Sequence, residues 1–264
     1  MITKIIPHPC LDKIIEYYWI EKNGKSSVKV LPDGTTSIIF NLGDPINIYG
    51  INGNYKNVSK NIIVGTQKKH YTVDEKNDTY IVGIKFTQGG AYHFFKLPML
   101  KFSNKIINLE DVLNGESEKI RGLLRDAQGV DEVKKVLDYY LLIKADMLSG
   151  TNDIVDYAIK SVKADGSPAL IKELCLTANI SNKHLISLFN KKVGLSPKII
   201  QRLNKFIKVI HTIQSRKEII WPEVAFECNY YDQAHLINEF KSFSGLSPKN
   251  YYDGVVNEGI RVRV

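Results

Sequence analysis

The chain has 264 residues, enough for two domains that each bury a core. Apolar residues make up 44% and charged residues 24%, which excludes a disordered or collagen-like chain. The net charge of +8 suits a polyanionic partner without specifying one, and the absence of any apolar run of about 18 residues excludes a membrane helix as the sequence reads.

The first hundred residues are rich in short β patterns. An amphipathic helix over Leu11 to Ile20 is expected first. Val28 to Leu31 then reads as a strand, ended by the turn signal Pro32-Asp33-Gly34. Thr35 to Leu42 is β-branched and closes at Gly43-Asp44-Pro45. Ile46 to Tyr49 alternates with period two, and Ile62 to Val64, Tyr71 to Val73 and Tyr80 to Phe86 continue the series. Strands at this spacing predict a barrel or a sandwich. After Gln88-Gly89-Gly90 the pattern turns helical. Ala91 to Leu97 is a short helix stopped by Pro98, and Asp131 to Ala145 carries apolar residues at helical spacing. Ser149 to Asn152 is the expected domain boundary, which divides the chain into 1–148 and 149–264.

Beyond that boundary nearly everything reads as helix. Ile154 to Ile159 starts the series. Ser167-Pro168 caps and opens a second helix, with Leu170, Ile171, Leu174 and Cys175 as its buried face. Asn179 takes a tight turn, and Ser181 caps a third helix with Leu185, Leu188 and Phe189 inward. Lys183, Ser187 and Asn190 lie on its outer face. His184 to Lys198 (HLISLFNKKVGLSPK) then returns as His235 to Lys249 (HLINEFKSFSGLSPK), nine of fifteen positions identical at an offset of 51. The packing set repeats, with Leu236 and Phe240 standing where Leu185 and Phe189 stood. The outer face changes to Ala234, Asn238 and Lys241, flanked by Gln233 and His235. Asn229 takes the second turn and Asp232 the second cap. Each copy ends at Gly-Leu-Ser-Pro-Lys, where the Gly closes one helix with positive φ and Ser-Pro opens the next. Ser196 to about Lys217 is long enough for one connecting helix of about 30 Å, close to one turn of DNA.

Two helix–turn–helix units with polar, partly basic outer faces on a shared scaffold predict two reading heads for DNA. Lys183, Ile186, Ser187, Asn190, Gln233, Ala234, His235 and Asn238 are the base-facing candidates: Lys can read guanine, Gln and Asn adenine, and Ile186 and Ala234 thymine methyls. Lys192, Arg202, Lys205 and Lys241 are the phosphate candidates, which position the protein without reading sequence. Because the outer faces differ, one chain is expected to read a non-palindromic stretch.

Residues from about Pro168 to Tyr252 resemble the AraC/XylS-type DNA-binding domain. The match is carried by Ala225-Phe226-Glu227-Cys228-Asn229-Tyr230-Tyr231-Asp232-Gln233-Ala234-His235-Leu236, by Phe240-Lys241, by Gly245-Leu246-Ser247-Pro248 and Tyr251, and by Arg202, Lys205 and Phe206 of the connecting helix. Asn229 stands where the family usually has Gly, and Asn238 where it often has an Arg facing DNA. The segment 8–145, through Leu31-Pro32-Asp33-Gly34, Phe40 to Pro45, Gly83 to Phe86 and Gly89-Gly90-Ala91, is similar to a poorly characterised domain found ahead of such DNA-binding domains. The resemblance implies an α+β chain, with a cupin-like β-rich barrel and helices followed by an all-α double helix–turn–helix domain. It also implies double-stranded DNA as partner, a small-molecule effector or a dimerisation role for the N-terminal domain, RNA polymerase as a partner of an activator, and an optional homodimer.

Catalysis has little to rest on. Cys10, Cys175 and Cys228 belong to no metal-ligand spacing, and reduced thiols in a cytoplasmic protein without secretion signal are expected. No Gly-x-Ser-x-Gly motif occurs. His184 and His235 fall on different heads, and His70 and His93 lack a ligand set, so no metal and no cofactor are expected. The expectation is a transcription regulator that is not an enzyme. A constitutive regulator with a dimerisation-only N-terminal domain stays open, as does a DNA-repair alkyl transferase, which would need a reactive Cys10.

Overall fold

The computed structural model describes residues 2–23, 27–50, 55–58, 60–74, 78–144, 154–164, 170–256 and 262–263. The expected domain boundary at 149–152 and the expected cap at Ser167-Pro168 lie outside the described residues.

Nine strands come first: β1 (Ile2–Ile5), β2 (Ile15–Lys22), β3 (Ser27–Val30), β4 (Ser37–Asn41), β5 (Ile46–Gly50), β6 (Tyr55–Val58), β7 (Asn61–Val64), β8 (Tyr71–Asp74) and β9 (Tyr80–Phe86). Then follow α1 (Gly90–Phe95), β10 (Ile106–Asn108), α2 (Glu110–Leu113), α3 (Glu116–Asp126) and α4 (Val130–Lys144). The remainder is helical: α5 (Ile154–Ala164), α6 (Leu170–Thr177), α7 (Asn182–Lys192), α8 (Pro197–Gln214), α9 (Trp221–Glu227), α10 (Gln233–Ser244) and α11 (Pro248–Val256). A last strand, β11 (Val262–Arg263), returns to the β-rich part.

The strands form two sheets, ordered β1-β2-β9-β4-β7-β10 and β11-β3-β8-β5-β6. Among the described residues each sheet has free edges, so the arrangement is an open sandwich rather than a closed barrel. Among them all pairings are antiparallel except β11 against β3, where Val262 lies opposite Lys29 and Arg263 opposite Val30.

Strand alternation explains the layers. In β4, Ile38 and Phe40 turn one way and pack with Val82, Ile84 and Phe86 against helices α1, α3 and α4. Ile39 turns the other way, with Ile62, Val64 and Ile81, and meets Ile46, Ile48 and Val73 of the second sheet. The period of two thus supplies two cores from one sheet. A third core holds the helical part together, and it includes Leu31 from the end of β3.

The helix expected over Leu11 to Ile20 does not form. Pro9–Leu11 makes one 3-10 turn, and Ile15–Lys22 is strand, paired on one side with β1 and on the other with β9. The physical reason is a bulge: the register against β9 shifts between Ile15 and Tyr17. The extra residue puts Ile15 and Tyr18, three apart, on the same buried face, so a strand carries helix-like spacing. Tyr18 is further fixed by its hydroxyl, which donates to Asp138 of α4 at 2.8 Å. Among the described residues no helix is long and apolar enough to cross a membrane.

Candidate nucleic-acid interface and the cavity beside it

The two helix–turn–helix units share one turn geometry. Asn179 follows α6 at φ 51°, and Asn229 follows α9 at φ 58°. In the first unit Ile180 N–H donates to the Cys175 carbonyl at 3.0 Å; in the second, Tyr230 N–H donates to the Ala225 carbonyl at 2.9 Å. The turns repeat at an offset of 50 but the caps at 51, because Tyr231 is an extra residue between turn and cap in the second unit. Ser181 then accepts from His184 N–H at 3.1 Å, and Asp232 from His235 N–H at 2.7 Å, each satisfying a free donor at its helix start. Gly194 and Gly245 end the copies with φ of 87° and 74°, as their place in the repeat requires.

Leu185, Phe189, Leu236 and Phe240 are fully buried. On α7, Lys183, Ile186 and Ser187 are exposed and Asn190 is half-buried. On α10, Gln233, Ala234, His235, Asn238 and Lys241 are exposed. His235 is also used within its own unit: its ring packs edge-on against Tyr230 and accepts from Tyr231 N–H at 3.5 Å.

Most phosphate candidates are engaged inside the fold. Arg202 of α8 donates to both carboxylate oxygens of Glu239, at 2.6 and 2.8 Å, and lies over the Phe243 ring. Lys205 donates to the Asn229 carbonyl at 2.8 Å and so caps the second turn. Lys192 sits over Tyr92, where burial and the nearby Lys96 charge lower its pKa. Lys241 is exposed. Two further exposed cations, Lys198 and Lys249, stand in the first turns of α8 and α11, one at the end of each repeat. Their equivalence was readable in the repeated Gly-Leu-Ser-Pro-Lys but not among the expected contacts.

Both units rest on the β-rich part. The carbonyl of Phe243, at the end of α10, accepts from His70 N–H at 2.9 Å, and Lys29 donates to the Ser244 carbonyl at 3.4 Å. Burial and the Lys29 charge lower the pKa of His70, against the pull of its contact with the Phe243 carbonyl. Tyr92 of α1 carries Lys191 and Lys192 of α7 over its ring. Between these supports, Gln88 donates at 2.7 Å to the Asp33 carbonyl and at 2.9 Å to Asn204 Oδ1 of α8.

A cavity of about 610 Å³ lies between the two sheets. Its wall is largely apolar, with Trp19, Ile39, Tyr71, Val73 and Ile81, and Val262 of β11 closes one side. Trp19 lies flat over Gly83 of β9, where any Cβ would fall about 2.1 Å from the indole. Only glycine permits that close approach, which fixes the ring in the cavity wall. One end of the cavity is charged, with Lys4 and the Lys85–Asp33 ion pair. Burial raises the Asp33 pKa, but Lys85 and two hydrogen bonds from Thr35 outweigh it and hold the carboxyl below its usual range. Burial lowers the Lys85 pKa, and Asp33 with Tyr17 and Glu16 more than reverses this. Among the described residues no group of three or more His, Cys, Asp and Glu could hold a metal ion.

A family profile described as "Domain of unknown function (DUF6597)" matches residues 3–108. No curated protein matches the chain in sequence. The solved structure of ToxT from Vibrio cholerae is similar over 89% of this chain and 97% of that one, with TM-score 0.50 and 11% identity. An apo ToxT variant from Vibrio cholerae strain SCE256 is similar over 89% and 96%, again with TM-score 0.50 and 11% identity. The likeness is one of fold: a β-rich N-terminal part followed by a helical C-terminal part.

Proposed function

We propose that this chain is a DNA-binding transcription regulator of the AraC type, controlled by a small molecule held between the two sheets. The observation that carries the DNA reading is the pair of helix–turn–helix units. They share caps and turns, bury equivalent residues, expose unlike polar faces, and are joined by the single helix α8 of 18 residues, about 27 Å long. The likeness to ToxT supports the same arrangement of a β-rich part followed by a helical part.

In this reading residues 1–148 sense and 149–264 bind DNA. Lys183, Ile186, Ser187 and Asn190 face bases in one major-groove segment; Gln233, Ala234, His235 and Asn238 face them in the next. Lys241, Lys198 and Lys249 meet phosphates, the last two with the N-terminal ends of α8 and α11 behind them. Arg202 and Lys205 serve instead as internal struts. No catalysis and no cofactor are involved, and a DNA ligand places the work in the cytoplasm. An activator of this kind also contacts RNA polymerase. The cavity supports the effector, because its size and apolar wall with one charged end match a small-molecule site.

Selection from a pool of random duplexes tests the DNA reading. A single non-palindromic site spanning two adjacent major-groove segments is expected, with affinity falling steeply as salt rises. Sequence-blind binding overturns it.

A further inference from the structure

The positive charge of this chain is not evenly spread. Residues 45–73 and 79–109 contain eight Lys and no Asp, Glu or Arg, so they account for the whole net charge of +8. Folding brings parts of these two stretches together. Asn104 N–H donates to the Thr66 carbonyl at 2.8 Å, and Gly65 N–H to the Lys105 carbonyl at 3.0 Å. Lys68 N–H donates to Asn104 Oδ1 at 2.8 Å. Segments 65–70 and 96–105 thus form one ledge on the β-rich part. Lys68, Lys69, Lys96, Lys101 and Lys105 are all exposed on it.

Both reading heads end at this ledge. Gly194, which closes the first repeat, lies so near that a Cβ would meet the Met99 carbonyl at 2.8 Å and Thr66 Oγ1 at 3.0 Å. A Cβ on Gly245, which closes the second, would fall on the His70 ring, and His70 N–H holds the Phe243 carbonyl. The same position of the repeat is therefore seated twice on one short segment. The reading faces run toward it. Lys183, Ser187 and Lys191, spaced by four and exposed, make one stripe along α7, and Lys191 ends that stripe over the Tyr92 ring. Ala234, Asn238 and Ser242 make the matching exposed stripe along α10, which stops just short of Gly245.

Helix length decides what the ledge meets. With 11 and 12 residues, α7 and α10 are about 16–18 Å long, whereas the major groove is about 12 Å wide. A recognition helix enters that groove N-terminus first, so its C-terminal end is left beside the phosphates of the groove wall. Lys198 and Lys249, four residues beyond the two glycines, mark that level on the helical side. Across the seam the ledge presents further ammonium groups. Like charges crowd there: burial and Lys96 lower the pKa of Lys192, and burial, Lys29 and Lys69 lower that of His70. An anion at the seam relieves this repulsion.

We propose that the ledge is a third DNA-contacting surface, through which the β-rich part takes phosphates flanking the two groove segments that the heads read. Its lysines position the duplex and read no sequence. This rests on the DNA reading above and adds the β-rich part to the DNA site, so that the backbone contacts extend beyond the base preference.

The test uses the full chain and the duplex that it selects. One variant carries Lys68→Gln, Lys101→Gln and Lys105→Gln. A second, matched in net charge, carries Lys119→Gln, Arg125→Gln and Lys135→Gln, three exposed cations of α3 and α4. Lys69 is kept because it adjoins His70, and Lys96 because it caps α1 at φ 54°. The slope of log affinity against log salt should fall by about 0.9 for each ledge lysine that meets a phosphate, so by up to about 2.7. The ledge variant is expected to lose at least about 1 more in slope than the matched variant and to select the same site as the parent. A chain with Lys68→Arg, Lys101→Arg and Lys105→Arg should keep the parent slope, since the charges remain. If the parent selects a site but the ledge variant falls short of that extra loss, or selects a different site, or if the Arg variant loses slope as the Gln variant does, the ledge is wrong and the DNA reading stands. If the parent binds duplexes without sequence preference, both fall together.

Discussion

Arg202 of α8 and Glu239 of α10 are joined fork to fork, with Nε and one terminal nitrogen on separate carboxylate oxygens at 2.6 and 2.8 Å. The pair ties the connecting helix to the second reading helix, and Phe243 supports the guanidinium from behind. Because the pair is only partly buried, Arg202→Ala is expected to cost about 1–2 kcal/mol of stability. Arg202→Lys should recover little, since an ammonium lacks the planar fork. DNA affinity should fall for all sequences together. A phosphate contact would lower the slope of log affinity against log salt by about one; the strut leaves it unchanged. Thermal melts and binding isotherms over a salt series separate the two.

The positive φ of Asn229 makes a second prediction. An ordinary side chain there pays about 1–2 kcal/mol, which Asn reduces and Gly avoids. Asn229→Gly should therefore be neutral or slightly stabilising, and Asn229→Ala should destabilise by about 1 kcal/mol. Asn179 should behave the same way in the first unit, as urea titration of the four variants would show.

The Lys85–Asp33 pair predicts a pH profile. Asp33 has a depressed folded pKa, so its stabilisation is present above its unfolded value near 4 and is lost as pH falls through the folded one. Lys85 has a raised folded pKa, so its contribution is present below about 10.4 and is lost as pH rises through the folded value. Between those limits the contribution is flat. Asp33→Ala strands a buried ammonium and should cost about 3 kcal/mol at neutral pH. The gap to the parent chain should shrink as pH falls below about 4, and close as the parent's own Asp33 takes up its proton at the lower folded value. Urea midpoints measured from pH 3 to 8 check the sign.

The unlike outer faces predict separable specificity. Lys183→Ala should relax base preference in one half of the site and Gln233→Ala in the other, each by about 1–3 kcal/mol of discrimination. Repeating the duplex selection with each variant reads this directly; relaxation of both halves by one variant would count against two independent heads.

Sequence alone shows the helical part well because its signals are local. The repeat around Phe189 and Phe240, the asparagines at the turns and the Ser and Asp caps are each recognised within a few residues of one another. The strands from Val28 to Phe86 were mostly legible for the same reason. The Ile15–Tyr17 bulge defeats such reading, since it shifts the strand's phase through pairing with β9, some 70 residues away. The partners of the phosphate candidates Arg202 and Lys205 were illegible on the same ground: Glu239 and the Asn229 carbonyl are brought to them only by folding. The junction of Asp33, Gln88 and Asn204 lies beyond any local pattern, as its members are 55 and 116 residues apart.

The pairing of β11 with β3 has a mechanical meaning. Val262 and Arg263 lie beside Lys29 and Val30, so the far end of the helical part is fastened to the same strand whose Lys29 reaches the Ser244 carbonyl. The ladder adds one more rivet to those already set by His70, Gln88 and Tyr92, and cutting it loosens the seam without opening it.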